Sequence, residues 1–97
     1  MKYFDGKPKQ FGMSWAEINQ RLPRLGYAVV ADESSQQIQL EVEEGQAIIH
    51  YGPEQSRKIA GITLAYWDVT FEAKNLDEQA LAEFERRFSL YVQKGGG

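Results

Sequence analysis

The chain predicts a two-layer α+β domain, in which a four-stranded antiparallel meander carries an N-terminal and a C-terminal helix on one face. Three observations predict it. Apolar residues recur at helical spacing over residues 14–25 and again over 75–92. Between them, residues 37–51 alternate apolar and polar about the dipeptide Glu44-Gly45. The total of 97 residues suits one domain with a single modest core. The expected element order is α-β-β-β-β-α, with residues 1–13 as an N-terminal arm and residues 95–97 as a flexible tail.

Taken in order, the arm interleaves Lys2, Lys7 and Lys9 with Tyr3, Phe4 and Phe11. Asp5-Gly6 is a turn dipeptide, and the pattern leaves a docked extended segment and a free tail both open. Ser14 starts the first helix, since its hydroxyl can cap the amide of Glu17 while Glu17 reaches back. Met13 and Ile18 occupy the staple positions around that cap. Trp15, Ile18, Leu22 and Leu25 form the apolar stripe, with Glu17, Gln20 and Arg24 opposite. Pro23 cannot donate to the Asn19 carbonyl, so the regular helix ends near Leu22 and exits through Gly26.

Residues 27–32 read as the first strand and residues 33–36 as its turn. In the second, Ile38, Leu40 and Val42 take one face and Gln37, Gln39, Glu41 and Glu43 the other. A Glu44-Gly45 loop, with Gly45 at positive φ, sets Val42 against Ala47, Leu40 against Ile49 and Ile38 against Tyr51. On the outer face it sets Glu43 against Gln46, Glu41 against Ile48 and Gln39 against His50. Gly52-Pro53 closes the third strand, and residues 54–58 make a polar connection. The fourth strand, from about residue 59 to 73, changes phase: Ile62, Leu64 and Tyr66 share one parity, Trp67, Val69 and Phe71 the other. The preferred reading is a β-bulge near residues 65–67, which would bring all six to the core and leave Thr63, Asp68, Thr70 and Glu72 outside. Without it, Ile62, Leu64 and Tyr66 form an exposed apolar patch of the kind that marks an interface. Asn75 is the expected cap of the last helix, whose apolar arc runs through Ala80, Leu81, Phe84, Phe88, Tyr91 and Val92. Leu90 falls on its polar side.

The charge is unevenly spread. Residues 32–56 hold six acids (Asp32, Glu33, Glu41, Glu43, Glu44, Glu54) and no Lys or Arg, while the whole chain carries −3. A net negative chain disfavours nucleic acid and anionic lipid as partners. With no cysteine there is neither a disulfide frame nor a thiolate site, which suits a reducing cytosol. No run approaches the ~18 apolar residues of a membrane span, and residues 1–11 lack the apolar core of a secretory signal. A cytoplasmic location is the expectation.

No pattern for nucleotide, calcium or zinc binding or for a nucleophilic serine occurs, and no catalytic, cofactor-binding or metal-ligating residue is assigned. His50, the sole histidine, reads as a surface residue of the acidic face rather than one ligand of a four-ligand site. Glu41 and Glu43 stand about 7 Å apart on one strand face, where exposed glutamates lack the pocket that acid–base catalysis requires. Trp15, Tyr51, Trp67, Phe71, Phe84 and Phe88 read as core, with a ligand cavity between helices and sheet as the alternative. The helix–strands–helix order is similar to that of small αβββα RNA-binding modules, which would imply RNA contact through the basic arm. The scattered Arg21, Arg24, Arg57 and Lys58 and the acidic sheet speak against it. Gly95-Gly96-Gly97 resembles the end of carrier proteins activated at a Gly-Gly terminus, but those do not close on a helix. The expected function is therefore a non-enzymatic interaction or regulatory domain that binds a protein, basic in character, or a second copy of itself. The candidate surface is Gln39, Glu41, Glu43, Glu44, Ile48, His50 and Leu90.

Overall fold

The computed structural model describes residues 2–92. The Gly95–Gly97 tail lies outside them. The domain is α+β, with an antiparallel sheet and two helices, but it has six strands rather than four and a strand precedes the first helix. The elements are β1 (Lys9–Phe11), α1 (Trp15–Arg21) running into a 3-10 turn (Leu22–Leu25), β2 (Ala28–Asp32), β3 (Gln37–Val42), β4 (Gly45–Tyr51), β5 (Gln55–Ile59), β6 (Ile62–Lys74) and α2 (Glu78–Tyr91). The strand order is β1-β6-β4-β3-β2, and β5 pairs with the first part of β6.

The two added strands have separate causes. β1 is the N-terminal arm docked in extended form, with Lys9 opposite Val69 and Phe11 opposite Trp67. Burial of Tyr3, Phe11 and Met13 holds it there. β5 is Gln-Ser-Arg-Lys-Ile, exposed at every position, so it lacks the alternation by which strands are recognised. It turns into β6 through Ala60-Gly61, both at positive φ (+52° and +83°), the backbone that a two-residue hairpin requires.

The register of β3 with β4 differs by two residues from the expected one. The loop is Glu43-Glu44, with Glu43 at φ +53°, and Val42 pairs with Gly45 inside the ladder. Leu40 therefore faces Ala47 and Ile38 faces Ile49. A shift of two preserves the faces, so Ile38, Leu40 and Val42 still point into the core. Gly45 is reserved for a different purpose: a Cβ there would run into the backbone oxygens of Lys74 and Asn75.

The phase change in β6 is likewise resolved on the opposite strand. Tyr51 pairs with Val69 and Gln55 with Tyr66, so residues 52–54 span a gap that residues 67 and 68 fill on β6. The extra residue is a bulge at Gly52–Glu54, not at residues 65–67. β6 itself runs unbroken, with Trp67, Val69 and Phe71 inward and Ile62 and Leu64 exposed. Glu54, freed by the bulge, accepts the Trp15 amide at 2.8 Å at the start of α1.

Both helices lie on the inner face. Ser14 caps α1 as expected, its Oγ accepting from the Glu17 amide at 3.2 Å, and Gly26 takes the left-handed exit at φ +83°. The cap of α2 is Asp77 rather than Asn75; its Oδ1 accepts from the Ala80 amide at 2.8 Å. Asn75 instead sits at φ +55°, with its Nδ2 donating to the Glu44 carbonyl at 3.1 Å. Trp15 meets Tyr51 and Trp67 with ring centroids 4.9 and 5.3 Å apart, while Phe88 meets Phe11 and Phe71 at 5.5 and 5.2 Å. These rings pack between the helices and the sheet.

A polar clasp joins α2 to the 3-10 turn. Glu83 accepts from Arg86 and Arg87, each at 2.8 Å, and Arg87 donates onward to the Leu25 carbonyl at 3.0 Å. The two guanidinium groups hold the Glu83 carboxyl down at about 2. A depressed carboxyl contributes stability above its unfolded value, near 4.3, and loses it as pH falls towards 2. Glu83→Gln is therefore expected to be less stable than the parent at pH 7, with the difference closing between about pH 4.5 and 2. Urea melts of both proteins at pH 7, 4 and 2.5 read this directly. Asp5 and Asp32, also lowered by their hydrogen bonds, titrate equally in both proteins. A difference independent of pH would refute the carboxylate's role.

Candidate interaction surface

The outer face of the sheet is built from the residues of opposite parity to the core. One row across it reads Val30, Gln39, Ile48, Glu72; the next, towards the β3–β4 turn, reads Ala28, Glu41, Gln46, Lys74. On the other side of Ile48 lie Asp32, Gln37, His50 and Thr70. Ile48 was expected as an exposed apolar outlier, but it is only 2% exposed. It sits at the centre of these rows, and long polar side chains around it exclude water. Two hydrogen bonds fix that surround: Gln46 Nε2 donates to Glu41 Oε1 at 3.0 Å, and His50 Nε2 lies 2.8 Å from Glu72 Oε1. The carboxylate beside His50 thus comes from β6, a consequence of the shifted register, and not from Glu41.

The six acids do not gather on this face. Glu41, Glu43 and Glu44 cluster at the β3–β4 end, beside Asp77, where Glu43, Glu44, Ala73, Asn75, Leu76 and Asp77 line an open depression of about 670 Å³. Asp32 and Glu33 lie at the opposite end of β3, where Asp32 accepts from the hydroxyls of Ser34 and Ser35, each at 2.7 Å. Glu54 is engaged by α1. Leu90 is 47% exposed, as its position on the helical wheel implied, but α2 covers the inner face and so holds it away from Ile48. Of the seven expected surface residues, Gln39, Glu41, Ile48 and His50 share the outer face, Glu43 and Glu44 edge it, and Leu90 stands apart.

The feature that sequence reading did not assemble is the β5–β6 arm. Direct pairing puts Gln55, Arg57 and Ile59 on the same face as Tyr66, Leu64 and Ile62. On that face Ile59, Ile62 and Leu64 are 51%, 62% and 48% exposed. Arg57 crosses β6, stacking 4.6 Å from the Tyr66 ring and reaching Gln10 Oε1 at 3.4 Å. A shallow groove of about 200 Å³ follows this line, bordered by Gln10, Gly12, Arg57, Leu64, Ala65 and Tyr66. The parity clash along residues 62–71 was the available signal. A chain that keeps one strand straight through such a clash must expose one of the two apolar sets.

The N-terminal arm, through which a resemblance to RNA-binding modules would have implied RNA contact, is docked on the domain. Tyr3 and Phe11 are buried in the core, Lys9 pairs with Asp5 at 2.7 Å, and Lys2 donates to Ser89 at 3.1 Å. Among the described residues no group of three His, Asp or Glu side chains is placed to hold a metal, and no helix is long and apolar enough to cross a membrane. Compared with protein-family models, curated proteins and solved structures, the chain finds no match.

Proposed function

We propose that the chain is a non-enzymatic protein-interaction domain of the cytosol whose docking element is the β5–β6 arm and the outer sheet face continuous with it. The observation that carries this reading is the arm itself. It sets three large aliphatic side chains on one exposed face and adds none of its residues 55–66 to the buried core. Isolated exposed aliphatics are common, but a contiguous set on one face marks an interface. Both main-chain edges of the arm are also open, since β1 covers β6 only at Trp67–Val69.

Two measurements test it together. Ile62→Gln with Leu64→Gln is expected to change unfolding free energy by no more than about 1 kcal/mol, as exposed positions do. A photo-reactive residue at position 62 is expected to cross-link to protein in extracts of the native host, while one at exposed Arg24 is not. A loss above about 2 kcal/mol would make the arm a structural element and remove the premise. Equal labelling from both positions would reduce the arm to ordinary surface.

A further inference from the structure

We infer that the arm docks on a second copy of this chain, in a two-fold dimer whose outer sheet faces stack antiparallel, each arm lying over the acidic end of the other protomer. The inference deepens the interaction reading and rests on it. Three observations select this occupant.

The first is charge. Residues 55–67 hold no acid and two bases, Arg57 on the aliphatic face of the arm and Lys58, opposite Thr63, on its reverse, whereas the β3–β4 end carries Glu41, Glu43 and Glu44, with Asp77 beside them and Lys74 in the same row as Glu41. These two ends lie at opposite ends of β6, whose 13 residues span about 40 Å at the usual strand rise. The molecule is correspondingly long, 45 × 29 × 24 Å. An antiparallel stack therefore brings a basic arm to an acidic end twice, once for each protomer. Parallel stacking would oppose like charges at both ends.

The second is geometry. Ile59, Ile62 and Leu64 share the parity of Asp68, Thr70 and Glu72, so arm and outer face form one surface. Stacked sheets pack with their strands within about 30°, which an antiparallel pair of such faces satisfies. The third is area. A stable interface takes roughly 800 Å² from each partner, more than three aliphatic side chains supply. Contact therefore has to extend over the outer face, with exposed Val30 on β2, and a two-fold axis closes the assembly without leaving either end free.

The test is a charge swap read by sedimentation equilibrium of the full chain between 1 and 200 µM. The parent is expected to dimerise, more weakly in 0.5 M than in 0.05 M NaCl. Arg57→Glu with Lys58→Glu is expected to weaken the dimer at least tenfold, and so is Glu41→Lys with Glu43→Lys and Glu44→Lys. A mixture of the two variants is expected to form a heterodimer, and the chain carrying all five changes to regain the homodimer. Circular dichroism melts confirm that each variant is folded. A parent monomeric at 200 µM overturns the inference, as does a dimer that neither swap weakens or that the fivefold change does not restore. If the parent is monomeric yet position 62 still cross-links to another protein, this inference fails and the interaction reading survives. If neither occurs, both fail.

Discussion

Gly45→Ala is expected to remove about 3–5 kcal/mol of stability, a large share of what a domain of this size possesses. A Cβ at this position would lie 2.7 Å from the carbonyl carbon of Asn75 and closer still to the oxygens of Lys74 and Asn75. All three are backbone atoms, so no side chain can swing aside. The obstructed segment is where β6 ends: Gln46 pairs with Lys74, Asn75 holds the Glu44 carbonyl, and Asp77 caps α2 two residues later. Relief of the clash would have to displace the β4–β6 ladder or the entry to α2. Gly61→Ala is the control, since Gly61 lies at φ +83° with nothing within 4 Å of its would-be Cβ. That change strains only the backbone and should cost about 1 kcal/mol. Urea unfolding of both variants separates the effects. A Gly45→Ala loss no larger than that of Gly61→Ala would show that the close approach does not govern the position.

The same glycine marks where sequence reading reached its limit. Local signals were sufficient wherever a residue's role depended on near neighbours: Ser14 as a cap, Pro23 as the end of α1, Gly26 as the exit, and the inward face of β3. They failed where a residue's role is set by a distant segment. Glu44-Gly45 has the form of a hairpin turn, and only the approach of Lys74–Asn75 reassigns the glycine to the strand. Asn75 has the form of a cap, and only the Glu44 carbonyl reassigns it to a bridge. β5 was illegible for a different reason. An exposed strand whose partner is also exposed need not alternate, and its pairing is specified mainly by the turn at Ala60-Gly61. The acidic segment suffered from both: its six acids were read as one face because they are near in sequence, although Asp32 and Glu33 lie at one end of β3 and Glu41, Glu43 and Glu44 at the other.

Phe88→Ala is expected to cost about 3–5 kcal/mol, and its effect should extend well beyond α2. Phe88 is fully buried, and its ring meets those of Tyr3, Phe11, Phe71 and Phe84 at 5.0, 5.5, 5.2 and 5.7 Å. Three of these neighbours come from the N-terminal segment, β1 and β6, so one side chain of α2 joins parts of the chain that are remote from it in sequence. Truncation leaves a cavity that the surrounding rings, held by their own strands, fill only in part. The N-terminal segment should loosen most, because Tyr3 and Phe11 both pack on the Phe88 ring and lose it together, while hydrogen bonds to α2 remain. The Tyr3 amide donates to Glu85 Oε2 at 2.6 Å, and the Tyr3 hydroxyl lies 2.9 Å from Ser89 Oγ. Hydrogen exchange at the amides of Phe4 and Phe11 is therefore expected to accelerate more than the global loss accounts for, while β3 amides track global unfolding. Phe88→Leu, which keeps most of the volume, should cost about 1–2 kcal/mol and leave that exchange pattern near the parent's. If Phe88→Ala lost less than 1 kcal/mol, the aromatic cluster could not be what fastens β1 to the sheet, and the docking of the N-terminal segment would have to rest on its β1–β6 pairing and its hydrogen bonds to α2.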